Sequence, residues 1–133
     1  MSRTKLYEKT EHGYRLKETF VFYTNIKGYK IDTAFIDLKQ DGTSKLDSGY
    51  LWDGATCAPD IDIVIVPSAL HDAGYRLILF NKLPLKEKGK IDRAFRDEIL
   101  KFAEGKPWLT KLKIKVIAEI YYTGVRWFGG IGL

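Results

Sequence analysis

The side chains best suited to chemistry are His71, Asp72 and Tyr75, in the run Ala69-Leu70-His71-Asp72-Ala73-Gly74-Tyr75. An imidazole moves protons near neutral pH. A carboxylate accepts hydrogen bonds or binds a hard cation. On a helix, Tyr75 would stand one turn beyond His71 on the same face, whereas Asp72 would point about 100° away around the axis. The chain holds 2 histidines, His12 and His71, so any imidazole chemistry falls on one of them. His12 lies in a polar stretch, Glu8 to Tyr14, with no pattern around it.

Asp92 follows His71 by 21 residues. It shares a turn with an apolar stripe on a second predicted helix, so it is expected to point inward. Two helices joined by a short connection pack antiparallel, which would bring Asp92 to His71. A buried carboxylate is costly without a partner. By accepting from one ring nitrogen, Asp92 would hold the tautomer and leave the other nitrogen as a base. The Tyr75 hydroxyl would fix Asp92 further. A plain core hydrogen bond between two helices satisfies the same spacing, and both readings stand at this point. Asp72, turned away, is available to a metal, with Asp53 as a second oxygen donor and loop carbonyls to complete the shell. Such donors suit calcium better than zinc.

The positioning elements read as β first and α second. Phe20-Val21-Phe22-Tyr23 is β-branched and aromatic, Tyr29-Lys30-Ile31-Asp32 and Phe35-Ile36-Asp37-Leu38 alternate, Asp41-Gly42 signals a turn, and Ser48 to Trp52 resumes extended character. These predict a small antiparallel sheet over about 14–52. The stretch from Asp53 to Pro67 reads as a structured loop, with Pro67-Ser68 starting a helix that runs to about Phe80. A second helix is expected from about Gly89 to Ala103, with Ile91, Phe95, Ile99 and Phe102 as its stripe. The third runs from about Leu109 to Phe128, with Leu109, Leu112, Val116, Ile120 and Gly124 marking one face, and Gly129-Gly130 ends it. The expected fold is α+β in one domain over 1–133: β-rich over 14–52, loop over 53–66, helical over 67–128.

A chain of 133 residues, 45% hydrophobic and 29% charged, suits one folded domain. One cysteine, Cys57, excludes an intrachain disulfide and a cysteine-based zinc site, and favours a reducing compartment. No apolar run follows Met1 to Lys5, so no secretory leader is expected, and no stretch is long and apolar enough for a transmembrane segment. The net charge of +5, concentrated between Lys82 and Lys115, suits an anionic partner or a solvated face. Trp108, Trp127 and Phe128 beside Lys106, Lys111 and Lys113 could insert at a membrane interface or pack inward. The lysine-rich third helix carries no recognised nucleic-acid motif, and no nucleic acid is expected. A Cys57–His71 nucleophile pair is a minor alternative to a structural cysteine. A phosphohydrolase of the His-Asp metal class would need more histidines than His12 supplies.

Taken together, Ala69-x-His71-Asp72-x-Gly74-Tyr75-Arg76, Ile91-Asp92-x-Ala94-Phe95 and Tyr121-Tyr122-x-x-Val125-x-x-Phe128-Gly129 resemble the bacterial and fungal branch of the phospholipase A2 family over about residues 50 to 129. That resemblance implies a phospholipase A2-like antiparallel helix pair followed by a C-terminal helix, and calcium-dependent hydrolysis of a phospholipid-like ester. His71 would be the base that activates water, Asp92 would orient it and Tyr75 would support Asp92. Asp72 would ligate calcium, with Asp53 and the Gly54 carbonyl as the best matches for the loop ligands. Calcium would hold the phosphate and polarise the ester carbonyl. The partner would be an anionic phospholipid surface. The chain also looks like an uncharacterised family common in phage and prophage genomes, through Trp52-Asp53-Gly54-Ala55-Thr56-Cys57-Ala58-Pro59 ahead of the His-Asp helix. This second resemblance spans most of the chain and names no activity. It implies a host cytoplasmic or virion setting. It also opens the alternative of a non-catalytic structural or interaction protein on the same scaffold.

Overall fold

A computed structural model describes residues 6–54 and 61–128. The Gly129-Gly130 stop, the Phe128 side chain and Cys57, with the rest of 55–60, lie outside the described residues.

The β-rich half forms two antiparallel sheets instead of the single one expected. In the first, β1 (Tyr7–Lys9) pairs with β2 (Tyr14–Leu16), which pairs with β7 (Leu51–Trp52) in the register Tyr14 to Trp52. The second has the order β3 (Phe20–Tyr23), β6 (Thr43–Leu46), β5 (Ile36–Leu38) and β4 (Ile31–Asp32). Period-2 alternation explains the inner face: Phe20 and Phe22 are buried, Val21 and Tyr23 exposed. The Asp41-Gly42 turn forms as expected. Gly42 takes φ +96°, a conformation that favours glycine, and the Asp41 carboxylate accepts from the Thr43 amide at 2.8 Å.

The helical half has α1 (Asp62–Leu79), α2 (Lys88–Leu100) and α3 (Trp108–Phe128), with short 3₁₀ turns at Leu85–Glu87 and Lys101–Ala103. α1 begins five residues before Pro67, within the stretch expected to be loop. Pro67 costs that helix one backbone hydrogen bond, but Val64, Ile65, Val66, Ser68 and Ala69 are all buried around it. Packing therefore overrides the local signal. Just past the end of α1, Asn81 adopts φ +60° while the Lys82 and Leu83 amides return to the Leu77 carbonyl at 2.8 and 3.1 Å.

α1 and α2 are antiparallel: His71 meets Phe95, Gly74 meets Ile91, and Tyr75 meets Lys88. One apolar cluster joins the strands to the helices, from Leu16, Leu46 and Trp52 through Leu70 and Phe95 to Tyr121. On α3 the side turned to this core is Ile114, Ala118, Tyr121 and Val125. The face marked by Leu109, Leu112, Val116 and Ile120 points the other way, into solvent.

Candidate active site

Asp92 is fully buried and is gripped by four side chains. Its Oδ1 meets His71 Nε2 at 2.8 Å and accepts from the Tyr75 hydroxyl at 2.7 Å. Its Oδ2 accepts from Lys88 Nζ and from the Arg126 guanidinium, each at 3.0 Å. Lys88 also donates to the Val125 carbonyl at 3.2 Å, tying α2 to α3. Burial alone would raise the Asp92 carboxyl, but donation from His71, Tyr75 and Lys88 outweighs it and holds the group below the ordinary carboxylate range. Asp92 is thus an ionised acceptor, and an ionised carboxylate only accepts. The proton between it and the ring therefore belongs to Nε2, so in the neutral form of the imidazole the lone pair falls on Nδ1.

His71 is 5% exposed. Tyr75 covers one side of its ring at a centroid distance of 4.0 Å, and Phe95 lies at 5.1 Å. Nδ1 has no hydrogen-bond partner among the described residues, and none of their buried side-chain nitrogens or oxygens lacks one. The expected grouping of His71, Asp92 and Tyr75 is present, and the tautomer it imposes is the one a general base needs.

Asp72 sits differently from the free ligand expected. Its Oδ2 accepts from the Tyr50 hydroxyl and pairs with Arg76 Nε at 3.0 Å. Arg76 also lies 5.3 Å above the Tyr50 ring and donates to the Leu51 carbonyl at 3.2 Å. Asp72 thus anchors α1 to the approach to β7. Nearby, Trp52 Nε1 does the same by donating to Ser68 Oγ at 2.8 Å. Burial raises the Asp72 carboxyl, and the charge of Asp53 adds to this, while Tyr50 and Arg76 partly offset it. Burial also raises the Tyr50 phenol, reinforced by the Asp72 charge. Asp53 is exposed and Gly54 half-buried at φ +98°. The structure thus brings Asp53 within electrostatic reach of Asp72, but a guanidinium shares the site. Calcium takes about six to eight oxygen ligands. Among the described residues no group of three His, Cys, Asp or Glu is placed to hold a metal; Asp53, the Gly54 carbonyl and Asp72 would supply part of a calcium shell.

Four partners escaped the sequence reading. Lys88 stands one helical turn before Asp92, and Arg76 one turn after Asp72, spacings that were open to view. Arg126 and Tyr50 reach their carboxylates from 34 and 22 residues away, and only tertiary packing reveals them. No family model, curated protein or solved structure matches the chain.

Proposed function

We propose that the protein hydrolyses a lipid ester, with His71 as general base. One observation carries this: Asp92, buried and ionised, accepts from His71 Nε2 at 2.8 Å, which in the neutral ring puts the lone pair on Nδ1. In the proposed reaction Nδ1 takes a proton from water as the water oxygen attacks the ester carbonyl carbon. Asp92 stabilises the imidazolium that forms. Collapse of the tetrahedral adduct breaks the bond to the alcohol oxygen, which recovers the proton from Nδ1, giving a carboxylic acid and an alcohol. Tyr75, Lys88 and Arg126 hold Asp92 in place, so the ring cannot turn.

The lipid substrate, phospholipid-like and presented on an anionic surface, is supported by the likeness of His71-Asp72-x-x-Tyr75 and Asp92 to phospholipase A2 and by the basic charge of the chain. Calcium dependence would place the ion on a carboxylate that Arg76 already shares, and no step above is routed through a metal. The single cysteine supports a host cytoplasmic setting, with virion association as its variant. No helix among the described residues is long and apolar enough to cross a membrane.

Fatty-acid release from mixed phospholipid vesicles by the wild type and by His71→Ala tests the proposal. Loss in the variant is expected; equal release by both proteins sinks it. The low exposure of His71 favours a second reading, a non-catalytic phage or prophage protein that keeps the same network as a structural lock. That reading requires no release by either protein, together with loss of stability in Asp92 variants.

A further inference from the structure

α3 is apolar on two sides, and only one is covered by the protein. At about 100° per residue, Leu109, Leu112, Val116, Ile120 and Trp127 fall within an arc of roughly 80°. Ile114, Ala118, Tyr121 and Val125, which face the core, occupy the opposite arc. The outward residues are 50 to 78% exposed. Trp108 and Trp127 bracket this stripe, roughly 28 Å apart along the axis, and are 74% and 78% exposed. Scattered surface apolar residues are ordinary, but a continuous stripe of this length marks a contact surface.

Charge selects the occupant. Lys106, Lys113 and Lys115 are exposed near or beside the stripe, and none has a carboxylate partner among the described residues. Glu119 is the only acidic residue on α3. A second copy of the same face would set lysine against lysine. Nucleic acid would satisfy the lysines and leave the stripe in water. An anionic bilayer answers both, with acyl chains for the stripe, headgroups for the lysines and an interfacial depth that suits tryptophan.

We propose that the solvent face of α3 seats the protein on an anionic phospholipid bilayer, with Trp108 and Trp127 inserted at the two ends of the helix. This extends the lipid reading above, yet it concerns binding and does not need turnover.

The test is co-sedimentation with vesicles of phosphatidylcholine alone and of equimolar phosphatidylcholine and phosphatidylglycerol, read beside tryptophan emission. Trp52, the third tryptophan, is 2% exposed, so a blue shift on binding reports Trp108 and Trp127. Binding to the anionic vesicles, a blue shift and weakening in high salt are expected. Trp108→Ser/Trp127→Ser should bind at least about tenfold more weakly. Lys113→Gln/Lys115→Gln should lose about fivefold for each lysine. All these positions are exposed, and unchanged circular dichroism confirms that the variants fold. Absence of binding, equal binding to both vesicle types, binding to a DNA duplex but not to vesicles, or a dimer in sedimentation velocity that the tryptophan variants dissociate would each overturn the proposal. His71→Ala should bind like the wild type; if it binds without hydrolysing, the docking face stands whatever becomes of the catalytic reading.

Discussion

Gly74 lies so close to Ile91 that a Cβ at position 74 would come within 2.8 Å of its side chain. This contact sets the spacing between α1 and α2, and so the reach of His71 and Tyr75 to Asp92. In an exposed helix, glycine to alanine stabilises by roughly 0.5–1 kcal/mol. Here Ile91 is 1% exposed, and three of its side-chain carbons would lie within 2.9 Å of the new Cβ. Gly74→Ala is therefore expected to destabilise by about 1–3 kcal/mol and to lower ester hydrolysis. Urea unfolding beside the activity assay checks both; a more stable variant would show that the helices can part freely.

Asp92→Asn replaces the acceptor with a group that also donates, so the imidazole loses its fixed tautomer. Hydrolysis is expected to fall about 10²- to 10⁴-fold, as for His71→Ala. Asp92→Ala additionally strands Lys88 and Arg126 and is expected to cost about 3–5 kcal/mol. Kinetics for the first variant and chemical denaturation for the second separate the two effects.

The two aspartates give stability opposite pH dependences. Asp92 titrates lower in the folded chain than in the unfolded one. Its contribution is present above the ordinary carboxylate value of about 3.9 and fades as pH falls through the lowered value. Asp72 titrates higher when folded. Its contribution is present below the ordinary value and is lost as pH rises through the raised one. Thermal unfolding across the acid range should show a flattened acid limb in Asp92→Asn and the loss of the opposing slope in Asp72→Asn. Parallel curves for wild type and both variants would refute these assignments.

Tyr50→Phe removes the hydroxyl that Asp72 accepts from. Tyr50 is 3% exposed, and a loss of about 1–3 kcal/mol is expected in denaturant unfolding. Calorimetric titration of calcium into the wild type, Asp72→Asn and Arg76→Gln asks what else this carboxylate does. Calcium-dependent hydrolysis requires heat in the wild type, none in Asp72→Asn and tighter binding in Arg76→Gln, where the competing cation is gone. No heat in the wild type would remove calcium from the proposal.

Much of this architecture was legible from local pattern. The order of strands before helices, the Asp41-Gly42 turn and the extent of α2 and α3 follow from alternation, turn residues and helical spacing. So does the grouping of His71, Tyr75 and Asp92, because a short connection between two helices leaves few ways to pack. What failed was whatever depended on distant packing. α1 extends through Pro67 because the residues around it are buried. The outward stripe on α3 was visible as a stripe, but α3 has two apolar sides, and periodicity does not say which one the core will take. The partners of Asp72 were hidden for a related reason: a carboxylate turned away from His71 looks free until Tyr50 arrives from the sheet.

Arg126 completes the grip on Asp92 from α3, near the far end of the sequence. During synthesis, then, the hairpin of α1 and α2 emerges with its central carboxylate held by His71, Tyr75 and Lys88 alone. One oxygen lacks its second cation until α3 has left the ribosome and docked. A nascent chain, or one clipped by a protease before residue 126, lacks the Arg126 contact and so cannot form the finished site. The site's integrity thus reports on whether the chain has been made and kept at least that far.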